Sequence, residues 1–209
     1  MSARPDMFGL VASEPAHYAA ELFTKENKKR ILELGAGQGR DTLFFAQNGF
    51  DVYAVDYSES GLREIRRKAQ AWGVRESIKV ICHDVRNTFP FDDETFDACY
   101  SHMLYCMALT TTELEFLSEE IGRVLKPGGL NIYTARHTND PDYRTGIRRG
   151  EDMYEVSGFT VHFFSREKVE HLVQGYEIVN VDEFEEGRLP RKLFRVTFRK
   201  KTNDKEQRK

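Results

Sequence analysis

The stretch that most constrains the fold is RILELGAGQGRDTLFFAQNGFDVYAVDYS, Arg30 to Ser58. An apolar run breaks into three glycines within five positions, a helix-like segment follows, and a second apolar run ends on an aspartate. A strand that gives way to a glycine-rich turn and then a helix belongs to a parallel sheet, with the turn at the carboxyl edge where ligands bind. Gly35, Gly37 and Gly39 permit tight turning and let a ligand lie on bare backbone, because a Cβ there would obstruct it. Asp56 follows Gly35 by about 20 residues, where a carboxylate accepts hydrogen bonds from both hydroxyls of a ribose. The two ends together point to an adenosine-containing ligand.

The alternation continues along the chain. RILEL (30–34), DVYAV (51–55), IKVIC (78–82), FDACYSH (96–102) and LNIYTA (130–135) read as strands. Between them, RDTLFFAQNG places Leu43, Phe44 and Ala46 on one helical face, and SESGLREIRRKAQAWG places Leu62, Ile65, Ala69 and Trp72 on another. TTTELEFLSEEIGRVLKPGG repeats the pattern, with Thr111 or Thr112 as N-cap and Pro127, Gly128 and Gly129 as the stop. His137 to Ser157 is polar and reads as a long loop; FTVHFF and a short helix capped by Ser165 follow. YEIVNVDEFEE and KLFRVTFRK, separated by GRLPR, form an antiparallel hairpin. The expected architecture is α/β: a doubly wound, mostly parallel sheet with helices on both faces.

Composition narrows the function classes. A chain of 209 residues suits one domain, expected over 1–200, with a basic flexible tail at 201–209. With 31 basic and 34 acidic residues the net charge is −3, so no bulk attraction to nucleic acid exists, and RKKTNDKEQRK reads as a solvated end. No segment approaches the roughly 18 continuous apolar residues of a membrane span, and the N-terminus lacks a signal peptide's apolar block. Cys82, Cys99 and Cys106 are odd in number and form no C-x-x-C pair, which points away from a disulfide framework or structural zinc. The expectation is a cytoplasmic protein with no membrane or nucleic-acid partner, and with Cys82 and Cys99 buried in strands. His83, His102 and Cys106 are a weak metal constellation, and no metal site is expected.

The glycine spacing discriminates between cofactors. Dinucleotide pyrophosphates rest on G-x-G-x-x-G, whereas here the third glycine comes one residue early and Glu33 precedes the first. A carboxylate beside a pyrophosphate repels it and suits a cationic sulfonium or amino-acid ligand.

LELGAGQGRDT, Asp56-Tyr57-Ser58, CHDV (82–85), FDACYSHMLYC (96–106) and LKPGGL (125–130) together resemble the class I S-adenosylmethionine-dependent methyltransferases, over roughly residues 29–135. The run GQGRDTLFFAQNGFDVYAVDYS looks more like the small-molecule branch, including tellurite-resistance and thiopurine-type enzymes. The resemblance implies a Rossmann-like seven-stranded sheet with an antiparallel C-terminal strand and S-adenosylmethionine as cofactor, with S-adenosylhomocysteine as product. It implies that Glu33, Gly35, Ala36 and Gly37 hold the methionine and adenosine-facing loop, and that Asp56 grips the ribose. Tyr57 flanks the adenine, Asp84 and Val85 meet it at its amino group, and Ser101 lies beside the methionine moiety. LKPGG is then the turn into the fifth strand. Residues 1–28 supply a helix over the cofactor, in which Tyr18 packs or touches the ligand, and 137–164 form a substrate lid or insert.

A sulfonium is already an activated methyl donor, so few obligatory catalytic side chains are expected. His102 and Tyr105 directly follow the fourth strand and are the catalytic candidates, each with a packing role as its alternative. Arg136 and His137 end the fifth strand and are candidates for holding an anionic substrate, and Tyr143 and His162 for lid contacts. The acids of DEFEEG read as a solvated strand end. The acceptor expected is a small metabolite or soft nucleophile. The alternatives are a nicotinamide-dependent oxidoreductase and a non-catalytic module that binds S-adenosylmethionine.

Overall fold

The five apolar runs of the first two thirds become five parallel strands, because each is covered on both sides by helices. In the computed structural model, which describes residues 11–187 and 191–202, these are β1 (Arg30–Leu34), β2 (Asp51–Asp56), β3 (Ile78–Cys82), β4 (Phe96–Ser101) and β5 (Leu125–Arg136). Three short strands follow, β6 (Ile147–Gly150), β7 (Met153–Val156) and β8 (Phe159–His162). The hairpin β9 (Tyr176–Glu186) and β10 (Arg191–Lys200) then completes a seven-stranded sheet of order β3-β2-β1-β4-β5-β10-β9. β10 runs antiparallel to both β5 and β9. The carboxyl end of β9 is therefore at the same edge as those of the parallel strands.

Successive strand residues serve opposite cores. Ile31, Val52, Ala54, Ala98 and Ile132 meet α1 (Glu14–Lys25), α2 (Arg40–Gln47) and α3 (Glu59–Ala71). Leu32, Leu34, Val55, Cys99 and Tyr133 meet α4 (Thr111–Val124) and α5 (Arg166–His171) on the other face. Four expectations need correction. Phe45, not Phe44, is the fully buried ring of α2, and Trp72 is the C-cap of α3 with its indole partly in solvent. Thr110 is the N-cap of α4, in a capping box with Glu113, because Thr111 instead bonds Glu151. Cys82 is exposed at the sheet edge, while Cys99 and Cys106 are buried.

The expected turn at LKPGG lies within the span of β5, where Gly128 adopts φ 71°. The polar loop after β5 is the largest departure: β6, β7 and β8 pair antiparallel as a separate sheet, with Ser157 and Gly158 both at positive φ in the β7–β8 turn. Its neck is closed by Phe164 N donating to Arg136 O at 2.8 Å and Thr138 N donating to Phe164 O at 3.0 Å. Residues 1–10 of the expected N-terminal segment and 203–209 of the expected tail lie outside the described residues. Among the described residues no helix is long and apolar enough to cross a membrane.

Candidate active site

The glycine loop is built by the backbone. Gly35 N and Ala36 N both donate to Val55 O, at 2.9 and 3.1 Å, which ties the loop across to β2. Gly39 caps α2 at φ 83°, and a Cβ there would meet Ile65 Cγ1 at 2.6 Å, so the third glycine serves the packing of α3 on α2. A Cβ on Gly61 of α3 would lie 2.3 Å from Gly37 O. The side of Gly37 itself is open, with no atom within 4 Å of where a Cβ would be.

Asp56 knits this loop to α3. Its Oδ2 accepts from Gly37 N and its Oδ1 from Ser58 N, both at 2.8 Å, and each oxygen keeps a second lone pair for a ligand. Tyr57, beyond it, is 79% exposed and presents an uncovered ring. Asp84 accepts from the backbone and guanidinium of Arg86, which hold its carboxyl down to about 2. Val85 packs on the core beside it.

Three buried oxygens here have no partner, Glu33 Oε2, the neighbouring Thr42 Oγ1 and Ser101 Oγ. Burial, reinforced by the Asp41 carboxylate and opposed by the Thr42 hydroxyl, pushes the Glu33 carboxyl up to about 8. A buried acceptor without a donor costs about 1–3 kcal/mol. A cationic group seated beside the open glycine loop would remove that cost, so the donor set fits a sulfonium amino-acid cofactor with an adenosine moiety. Among the described residues no group of three or more His, Cys, Asp or Glu converges as a metal site.

Toward β5 the chemistry changes. His102 Nε2 lies 3.2 Å from Glu186 Oε2, and Nδ1 lies 3.0 Å from Thr134 Oγ1. Thr134 Oγ1 already accepts from Met103 N at 2.9 Å, so its own proton is available to Nδ1, which assigns the ring proton to Nε2, facing Glu186. Burial raises the Glu186 carboxyl, but the hydrogen bond from His102, with Arg40 nearby, outweighs it and keeps the group below its ordinary range. Beside this pair, Asp41 accepts from Ser13 N at 2.9 Å, Ser13 Oγ at 2.8 Å, Tyr100 OH at 3.1 Å and Arg40 Nε at 3.0 Å. That hub locks the N-cap of α1 to the first turn of α2. Leu104 covers the loop from above, 3.3 Å from where a Cβ on Gly35 would be.

The structure moves five other candidates away from this edge. Tyr105 is fully buried, stacked on Tyr133 at 3.8 Å, and its hydroxyl accepts from Asn131 Nδ2 at 3.2 Å. Burial pushes its phenol up, and in the core it touches no acceptor. Arg136 is buried between Asp140 and Asp142. His137 Nδ1 accepts from Asn139 N at 3.0 Å, and burial pushes the ring's pKa down. His162 is buried, with Nδ1 donating to Leu109 O at 2.6 Å and Nε2 accepting from Lys168 Nζ at 3.1 Å; its pKa too is pushed down by burial. Tyr143 OH donates to Asp152 Oδ1 at 2.7 Å. These groups hold the inserted sheet in place. Tyr18 likewise packs, with Arg195 Cζ 3.8 Å above its ring.

With fold and site in view, comparison with known proteins shows what the chain is similar to. Residues 31–129 match the methyltransferase domain family. That segment is just under half of the chain. The chain is 28% identical over 144 residues to 24-methylenesterol C-methyltransferase 2 of Oryza sativa subsp. japonica, covering 64% of this chain and 39% of that protein. It is 35% identical over 104 residues to phosphoethanolamine N-methyltransferase 3 of Arabidopsis thaliana, covering 49% and 20%. The chain spans less than half the length of the curated relatives it matches. A solved S-adenosylmethionine-dependent methyltransferase from Methanosarcina mazei superposes with a TM-score of 0.74 at 21% identity, covering 84% of this chain and 94% of that one, which shows the shared fold.

The site also uses residues that the sequence did not single out. Gly61 carried a signal, a glycine inside a helical pattern, which marks close approach of backbone. Asp41, Thr134 and Glu186 carried none, since each is joined to its partners only by the fold.

Proposed function

We propose that this chain transfers the methyl group of S-adenosylmethionine to a small-molecule acceptor. The observation that supports it most is the unpartnered, buried Glu33 Oε2 beside an open glycine loop, a place shaped for a cation on bare backbone. When bound, the cofactor supplies a methyl group on a sulfonium, already activated toward a nucleophile. Asp56 offers its remaining lone pairs to the ribose hydroxyls, Tyr57 offers its exposed ring to the adenine, and Glu33 faces the cationic end. Leu104 excludes water over the loop, and the Ser13–Asp41 lock fixes α1 at its rim. Orientation of this kind is worth about 7–11 kcal/mol of barrier in well-aligned systems, so the rigid edge can supply much of the catalysis.

Similarity does not select the acceptor atom: one relative is named for C-methylation of a sterol, another for N-methylation of phosphoethanolamine. The testing experiment is titration calorimetry with S-adenosylmethionine, S-adenosylhomocysteine and NADH. Binding of the first two and not of NADH is expected. Binding of NADH alone would return the chain to the oxidoreductase reading, and cofactor binding with no methyl transfer to any acceptor would make it a binding module.

A further inference from the structure

We infer that the acceptor is an amine, held as its ammonium by Glu186, with His102 acting as the residue that positions this carboxylate. The inference rests on the methyl-transfer reading above. It starts from charge at the acceptor end of the edge. Every cation that the sequence offered for an anionic acceptor is consumed: Arg136 by Asp140 and Asp142, and His137 by burial and by Asn139 N. Arg40, nearest to the site, is bonded to Asp41 through Nε at 3.0 Å and Nη2 at 3.3 Å. What remains is a carboxylate. Glu186 ends β9, and the hairpin carries it over the sheet's carboxyl edge to within 3.2 Å of His102, which follows β4.

The hydrogen bonding of His102 assigns the roles. Thr134 holds Nδ1 and Glu186 takes the proton on Nε2, so neither ring nitrogen has a lone pair free for an acceptor's proton. Only Oε2 of Glu186 is used, and among the described residues Oε1 takes no hydrogen bond. A half-buried carboxylate, fixed in one orientation and kept ionised, is a receptor for N–H donors and repels anions such as thiolates or metalloid oxyanions. In the transfer, the ammonium first gives a proton through Glu186 to solvent. The freed nitrogen lone pair then forms the bond to the methyl carbon, and the carbon–sulfur bond breaks with its electron pair left on sulfur. The methylated product is again an ammonium, stabilised by the same carboxylate.

The test uses the full chain, methyl-labelled S-adenosylmethionine and a small-molecule cell extract, with products separated by ion exchange. Label in the cation-retained fraction is expected. The reacting amine is then assayed with Glu186→Gln, which keeps an oxygen for His102 but loses the charge. KM for that amine should rise about 10- to 100-fold, with S-adenosylhomocysteine affinity unchanged. His102→Gln should raise the same KM less, and because it keeps the carboxylate its KM should increase with salt in parallel with the wild type, whereas that of Glu186→Gln should not. Label in anionic or neutral products, or an unchanged KM in Glu186→Gln, overturns the amine assignment while the methyl-transfer reading survives. Failure to bind the cofactor, or binding with no labelled product, overturns both.

Discussion

At the β1 and β4 end of the strand edge, Glu33 and Ser101 keep buried oxygens without partners, and Asp56 keeps lone pairs to spare. Below and beside the insert, Arg136, His137, Tyr143 and His162 are as polar and mostly as deeply placed, yet each is matched to a neighbour. The difference teaches how to tell a ligand site from scaffold when residue types alone do not. Buried polar groups are normally satisfied by the protein, and the core too keeps exceptions at Ser118, Asn131 and Tyr133, so what distinguishes Glu33 is an unpartnered carboxylate oxygen beside an open glycine loop.

The sharpest way to break this comparison is Arg136→Leu. It leaves Asp140 buried without its cation, and unfolding by denaturant should show a loss of about 3–5 kcal/mol. Cofactor affinity of the folded variant should not change. A weakened cofactor with intact stability would instead put Arg136 in the ligand site.

Glu33→Gln probes the opposite end. Removing the charge should weaken S-adenosylmethionine binding by about 1.5–3 kcal/mol, read by calorimetry. Its effect on the free protein has the reverse sign. The Glu33 carboxyl is raised in the fold from 4.5 to about 8, so its contribution to stability is full below its unfolded value and is lost as pH rises through about 8. The variant lacks that decline and should unfold at a higher temperature than the wild type at pH 8.5, with the gap closing toward pH 4.5. A gap that does not vary with pH would remove Glu33 from the argument.

Gly61→Ala sharpens the comparison where scaffold and site meet. The added methyl would press on Gly37 O, so thermal unfolding should report a loss of about 1–3 kcal/mol together with weaker cofactor binding. Loss of stability alone would mean that the loop shifts without harm to the ligand.

The legible parts of this molecule are those whose physics is local. β1 occupies the span RILEL because a strand buried on both faces reads as a continuous apolar run, and β3 occupies IKVIC as the half-exposed edge of the same sheet. Ser165 caps α5, and β9 and β10 pair across a short connection, as expected from cap and turn chemistry. The inserted sheet was illegible because IRRG, MYEV and FTVH are only four residues each, the first wholly exposed and the others mostly half-buried, without the alternation that marks a strand on a core. The same limit applies to the site. The glycine loop and Asp56 stand within one short unit, whereas Glu186 reaches His102 from 84 positions away and reads in isolation as one more acid of a surface strand. Tyr105 was misplaced because adjacency to a strand end does not say whether the next turn faces the crevice or the core.

The neck of the inserted sheet has a consequence for how such a chain can vary. Arg136 and Phe164 meet at one point, so the polypeptide between them leaves the main sheet and comes back to the same spot. A segment attached in this way resembles a side branch more than a link. Its outer strands can be lengthened or trimmed, while Asp140 at its base, which holds Arg136 and accepts from Lys192 N at 2.8 Å, stays bound to the sheet beneath.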